Sequence, residues 1–124
     1  MRRMLLLLAA VPLATLAACG KRDEERAAQM TGGDPNRGRE LIRQYGCYTC
    51  HTIPGVPGAD ALVGPSLDKL AKRIYIAGKL DNSPENLATW IRDPRGVDPK
   101  TAMPNLGVTE ADARDIESYL YTLK

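Results

Sequence analysis

Five consecutive residues, Cys47-Tyr48-Thr49-Cys50-His51, constrain this chain more than any other stretch. Two thiols three positions apart, followed at once by an imidazole, form the C-x-x-C-H pattern of covalent haem attachment. The spacing has a chemical reason. Cysteines at i and i+3 face one side of a single helical turn, where both can form thioethers with the vinyl groups on one edge of the macrocycle. The next residue is then carried beneath the ring, with its imidazole toward the iron.

The rest of the inventory narrows the choice. The chain has one histidine and three cysteines. A structural zinc site needs four nitrogen or sulfur ligands and cannot be completed here. A thioredoxin-like dithiol needs a βαβ pattern, and no run of β-branched strand residues surrounds Cys47 and Cys50. With no Phe, one Trp and five Tyr, a domain of about 90 residues is short of apolar bulk, a deficit that a large flat cofactor at its centre fills.

Residues 1–18 read as an export signal. Arg2 and Arg3 supply the positive end, and 5–16 are almost wholly apolar, a run too short to span a bilayer comfortably. Leu16-Ala17-Ala18-Cys19-Gly20 resembles a bacterial lipobox, and that likeness implies a diacylglyceryl thioether on Cys19 as the first residue of the mature chain. Two or more acyl chains, each contributing about 0.8 kcal/mol per buried methylene, hold a protein on a membrane stably. The expected location is therefore the periplasmic face of a bacterial membrane, with the protein anchored and not spanning. Once Arg2 and Arg3 are removed, the 17 Lys and Arg fall to 15, equal to the 15 Asp and Glu, and nucleic-acid binding has no electrostatic support.

Residues 19–33 carry mixed charge with almost no apolar periodicity and read as a flexible lipidated tether, the alternative being one or two helical turns over 22–30 that change its reach and not its role. The folded domain is expected over 34–124. Asp34-Pro35 is a helix start, with an acid to cap it and proline at the first position. Gly38, Leu41, Ile42 and Tyr45 follow at i, i+3, i+4 and i+7. After a Pro/Gly-punctuated loop over 53–63, Leu67, Leu70 and Ala71 suggest a short helix. Ser83-Pro84-Glu85 opens another that ends before Pro94, and 96–106 returns to loop. Thr109 and Asp112 have capping-box spacing ahead of a final helix with the apolar stripe Ile116, Tyr119, Leu120 and Leu123. The reading is all-α, about four helices, with the first and last packed together and Gly38 allowing close approach.

Iron in haem has two axial positions. Past the leader only Met30 and Met103 remain as methionines. Met30 lies in the tether, whereas Met103 sits in a loop stiffened by Pro104. With no second histidine, Met103 is the expected distal ligand, and its soft thioether favours the reduced metal.

Cys47 to His51, Gly64-Pro65, Trp90, Met103-Pro104 and the terminal helix occur in the order seen in class I c-type cytochromes, which this chain resembles over 34–124. A closer likeness is to the haem c domain at the end of subunit II in some bacterial cytochrome c oxidases. The shared features are Gly64-Pro65-Ser66-Leu67, Arg73, Ile76-Ala77-Gly78, the "N-PENL--WI-DP" pattern over 82–94, and the "MP-LG" loop over 103–107. This resemblance implies a small cytochrome c fold around one covalent haem c. It also implies that the Pro65 carbonyl accepts the far proton of His51, and that Arg73 and Trp90 lie near a propionate.

The implied function is electron transfer, with a quinol-oxidising complex, a terminal oxidase or a periplasmic dehydrogenase as redox partner. A haem peroxidase or small-molecule reductase needs an open iron position with an acid or base beside it, and a gas sensor needs a displaceable distal ligand. Two filled axial positions favour the carrier over both.

Overall fold

The computed structural model describes the backbone of residues 13–124 and side chains from Cys19 onward. The expected export signal falls largely on residues 1–12, outside the described residues. Among the described residues five α-helices follow one another: α1 (Leu13–Thr31), α2 (Pro35–Gln44), α3 (Pro84–Arg92), α4 (Pro94–Val97) and α5 (Glu110–Leu120). Single 3-10 turns form at Cys47–Thr49 and Leu70–Lys72, and strands β1 (Tyr75–Ile76) and β2 (Leu80–Asp81) pair antiparallel.

The α2–α5 pair is the frame. Asp34 caps α2 by accepting from the N–H groups of Asn36 and Arg37, with Pro35 in the first turn, where its missing N–H costs nothing. Gly38, Leu41 and Ile42 are buried on the face turned to α5. A Cβ on Gly38 would collide with the backbone carbonyl of Asp115, so the glycine sets how closely the helices approach. At the start of α5 the Thr109 hydroxyl accepts from Asp112 N at 3.1 Å. The Asp112 carboxylate is committed to α2, taking the Tyr45 hydroxyl at 2.6 Å and Arg37 at 2.7 Å. Ala113, Ile116 and Leu120 bury the inner stripe of α5.

The flexible-tether expectation for 19–33 is corrected by α1, which continues to Thr31 and packs on α5. Lys, Arg, Glu, Ala and Gln are good helix formers, and the contact needs little apolar surface. Ala27, 2% exposed, and Thr31 provide the buried face, and Asp23 pairs with Lys124. Gly32, left-handed at φ +73°, ends the helix by donating to the Ala28 carbonyl, the usual role of a glycine at that position.

Two smaller corrections concern the loops. The short helix expected from Leu67 to Ala71 is reduced to the 3-10 turn Leu70–Lys72, because Lys69 stands at φ +55°, a left-handed conformation that a right-handed helix cannot pass through. The chain also makes a small ladder, Tyr75 opposite Asp81 and Ile76 opposite Leu80, closed by a turn with Ala77 and Gly78 both at positive φ. As expected, α3 ends before Pro94, with Asp93 as its C-cap; Asp93 then caps the one-turn α4 through Gly96 N, so the loop expected from Gly96 begins after Val97.

Candidate cofactor site

A cavity of about 380 Å³ lies between α2, α3, α5 and the loops after the Cys47–Thr49 turn. Cys47, Cys50, His51, Pro65, Arg73, Trp90 and Met103 all line it. Apolar walls come from Ile42 on α2, Leu87 and Ile91 on α3, and Ile116 and Leu120 on α5. The folding of α2 onto α5 therefore builds the container before any ligand is considered. Cys19 is elsewhere, exposed on α1.

Gly46 at φ +77° lets the chain leave α2 and enter the 3-10 turn, a conformation that glycine adopts at no steric cost. Cys50 N and His51 N both donate to the Cys47 carbonyl, at 3.2 and 3.1 Å, so one tight turn carries both thiols and the imidazole. Burial pushes the Cys47 thiol above its ordinary range, which favours the neutral form.

His51 is oriented from the far side. Its Nδ1 lies 2.7 Å from the Pro65 carbonyl oxygen. A carbonyl only accepts, so Nδ1 carries the proton and the lone pair is left on Nε2 for a metal. Gly64 supports this arrangement. Its N–H donates to the Cys50 carbonyl at 2.7 Å, and a Cβ at this position would stand 2.5 Å from His51 Cε1. Any other residue would push the imidazole out of place.

Arg73 has a role that its sequence position did not suggest. One guanidinium nitrogen donates to the carbonyls of Ser66 and Asp68, the second at 2.8 Å, which ties down the loop that presents Pro65. Asn82 adds a second clasp: its amide donates to the carbonyls of Leu70 and Arg73 at 2.8 and 2.9 Å, and its oxygen accepts from the Tyr121 hydroxyl at 2.8 Å. A lone asparagine and a terminal tyrosine give no periodic signal, and their pairing across 39 residues was not readable. Trp90 is half-buried in the cavity wall. Met103 is half-buried in the segment before α5, with its N–H held by the Thr101 hydroxyl at 3.2 Å.

Among the described residues no group of three or more His, Cys, Asp and Glu is placed to hold a bare metal ion. One imidazole, one thioether and two thiols around an apolar cavity instead suit a metal that brings its own equatorial nitrogens. The donor set and the apolar lining fit haem.

The Cytochrome c family profile matches residues 35–124. Among curated proteins, the chain is 36% identical over 90 residues to cytochrome c oxidase subunit 2 of Alkalihalophilus pseudofirmus, covering 72% of this chain and 25% of that protein. It is 31% identical over 94 residues to cytochrome c oxidase subunit 2 of Bacillus subtilis, covering 71% and 26%. With the protein of that name from Bacillus sp. strain PS3 it shares 33% over 89 residues, covering 68% and 25%. The chain thus spans about a quarter of the length of these relatives. No solved structure matches. A profile match running from the first turn of α2 to the last residue, over a cavity lined by Cys47, Cys50 and His51, establishes the chain as a member of the cytochrome c family, a haem c protein of electron transfer.

Proposed function

We propose that this chain is a membrane-anchored monohaem electron carrier. Cys47 and Cys50 tether the macrocycle, His51 and Met103 bind the iron from opposite sides, and lipid on Cys19 keeps the domain at the periplasmic face of a bacterial membrane. The observation that carries the reading is the 2.7 Å contact between His51 Nδ1 and the Pro65 carbonyl, which leaves Nε2 free as a ligand in a cavity that also contains Met103. The haem supplies a one-electron Fe(III)/Fe(II) couple. The protein's part is to fix the donors. Pro65 holds the His51 tautomer and raises its basicity, while the Met103 thioether favours the ferrous state. If His51 and Met103 both held the iron, no position would be left for a bound substrate, and the group would serve for electron transfer alone. Arg73 and Trp90, in the cavity wall, are assigned to the propionate edge.

The names of the relatives support a place in a respiratory chain. A terminal oxidase is then the acceptor, and a quinol-oxidising complex or a periplasmic dehydrogenase the donor. No helix among the described residues is long and apolar enough to cross a membrane, and Cys19 is exposed near the middle of α1. Cleavage before Cys19 leaves helical residues 19–31, docked on α5, as a strut of roughly 20 Å between lipid and domain.

Two measurements test the reading. The long-wavelength charge-transfer band of a thioether–iron(III) bond is expected in the ferric protein, and Met103→Ala is expected to abolish it and lower the midpoint potential. An unchanged spectrum and potential would remove Met103 from the site. Cys19→Ser is expected to lose both acyl labelling and membrane fractionation, and a variant still fractionating with membranes rejects the anchor.

A further inference from the structure

We propose that reduction of the haem is coupled to proton uptake by Glu117 on α5. The inference rests on the electron-transfer reading above and adds a second reactive group to it. Glu117 is 2% exposed, and its Oε2 is buried with no hydrogen-bond partner among the described residues. A carboxylate with a buried, unpartnered oxygen is costly, whereas the protonated acid is tolerated.

The surroundings compensate Glu117 only in part: the Ala88 N–H of α3 and the charge of Arg114 favour its ionised form, but no cation among the described residues is paired with it. From α3 it faces Glu85, a like charge. On α5 its charged neighbour is Arg114, which is bound to Glu110 at 2.7 Å, and just past the helix lies the neutral hydroxyl of Tyr121. The α1 contact brings Ala27 and Thr31, with Asp23 of that helix paired to Lys124. On the α2 side Arg37 is taken by Asp112 and Asp115. Burial, reinforced by Glu85, pushes the Glu117 carboxyl up to about 7, so both protonation states are populated near neutrality.

The coupling follows from position. Ile116 and Leu120 of α5 line the cavity, while Glu117 lies outside that lining, on the adjoining face of the same helix beside Ala88 and Glu85 of α3. Ferric haem carries one positive charge more than ferrous haem, and a buried carboxylate feels that difference through a medium of low dielectric. When an electron arrives from a one-electron donor protein, iron(III) becomes iron(II). The Glu117 carboxylate, having lost the attraction of that charge, then takes a proton from solvent water to form the neutral acid. Oxidation releases the electron to the acceptor and the proton to water, so up to one proton moves with each electron.

The holoprotein tests this by spectroelectrochemical titration from about pH 5 to about pH 9, a range that brackets the group. The wild-type midpoint potential is expected to fall as pH rises through neutrality, and Glu117→Gln to lose that slope. Glu117→Leu fills the same space and is read the same way. Glu85→Gln keeps the slope but moves it to lower pH. Reduced-minus-oxidised infrared difference spectra should show a carboxylic acid C=O band gained on reduction in the wild type and missing in Glu117→Gln. A wild-type potential independent of pH, or a slope and band that survive in both Glu117 variants, overturns the coupling while leaving the carrier reading intact. The lack of any reversible one-electron couple overturns both.

Discussion

The two flanks of α5 solve the same packing problem in opposite ways. On the α2 flank the backbones nearly touch at Gly38, and the acidic groups are matched. Asp115 accepts from Asp34 N at 2.7 Å and from Arg37, while Asp112 takes Arg37 and the Tyr45 hydroxyl. The Tyr45 and Arg37 hydrogen bonds hold Asp112 below the usual carboxylate range. On the α3 flank Leu87 and Ile91 supply apolar burial, and the acid there, Glu117, has no ion-pair partner among the described residues. The first flank spends its polar groups on fixing register. The second leaves a titratable group buried on the helix whose neighbouring residues Ile116 and Leu120 line the cavity, and so makes that flank sensitive to pH.

The α2 flank is most sensitive to bulk. Gly38→Val places a Cβ against the Asp115 carbonyl and peptide carbon, backbone atoms that cannot rotate away as a side chain can. Overpacking costs typically 1–3 kcal/mol, and here the helices themselves must separate. A loss of about 3 kcal/mol or more is expected, only slightly offset by the better helix propensity of valine over glycine. Denaturant unfolding of the holoprotein measures it. A loss under about 1 kcal/mol would mean that the α2–α5 contact is not the rigid frame described above.

The α3 flank should instead respond to pH. The Glu117 carboxyl is raised from 4.5 to about 7 in the folded chain, so the folded state holds a proton that the unfolded state has released. The stability this group contributes is present below about pH 4.5, declines as pH rises, and is gone once pH passes about 7. Glu117→Gln removes the dependence. At pH 8 the variant is expected to be more stable than wild type, on the order of 2 kcal/mol, and at pH 4 the two should be nearly equal. Equal stability at both pH values would place Glu117 with the compensated acids of the other flank.

Legibility in the sequence divides along the same line. The α2–α5 frame was readable because it is local and periodic: Asp34-Pro35 at a helix start, Gly38 among apolar neighbours three and four residues apart, Thr109 three residues before Asp112. The cavity residues were readable because their types are scarce, with one histidine in the chain and Met103 the one methionine beyond the leader and α1. The α1 contact was missed because a single alanine buried against α5 leaves no apolar stripe to detect. The Lys69 kink was missed because a left-handed lysine has no compositional mark. Glu117 was passed over because one acid on an otherwise amphipathic helix reads as a solvated position, and only the arrival of α3 buries it.

The smallest effect concerns a tie between the α3 side of the molecule and the loop that orients His51. Tyr121, just past α5, donates to Asn82 Oδ1, Asn82 holds the carbonyls of Leu70 and Arg73, and Arg73 holds those of Ser66 and Asp68 next to Pro65. Tyr121→Phe keeps the ring and removes one hydrogen bond, leaving a half-buried amide oxygen to find water. A loss of about 1 kcal/mol is expected, with the haem attached and the ferric spectrum little changed, since Asn82 and Arg73 keep their own contacts with the loop. If Tyr121→Phe instead displaces the His51 ligand or costs as much as Gly38→Val, then orientation of the iron ligand depends on the α3 flank as much as on the α2 flank, and the division of labour between them fails.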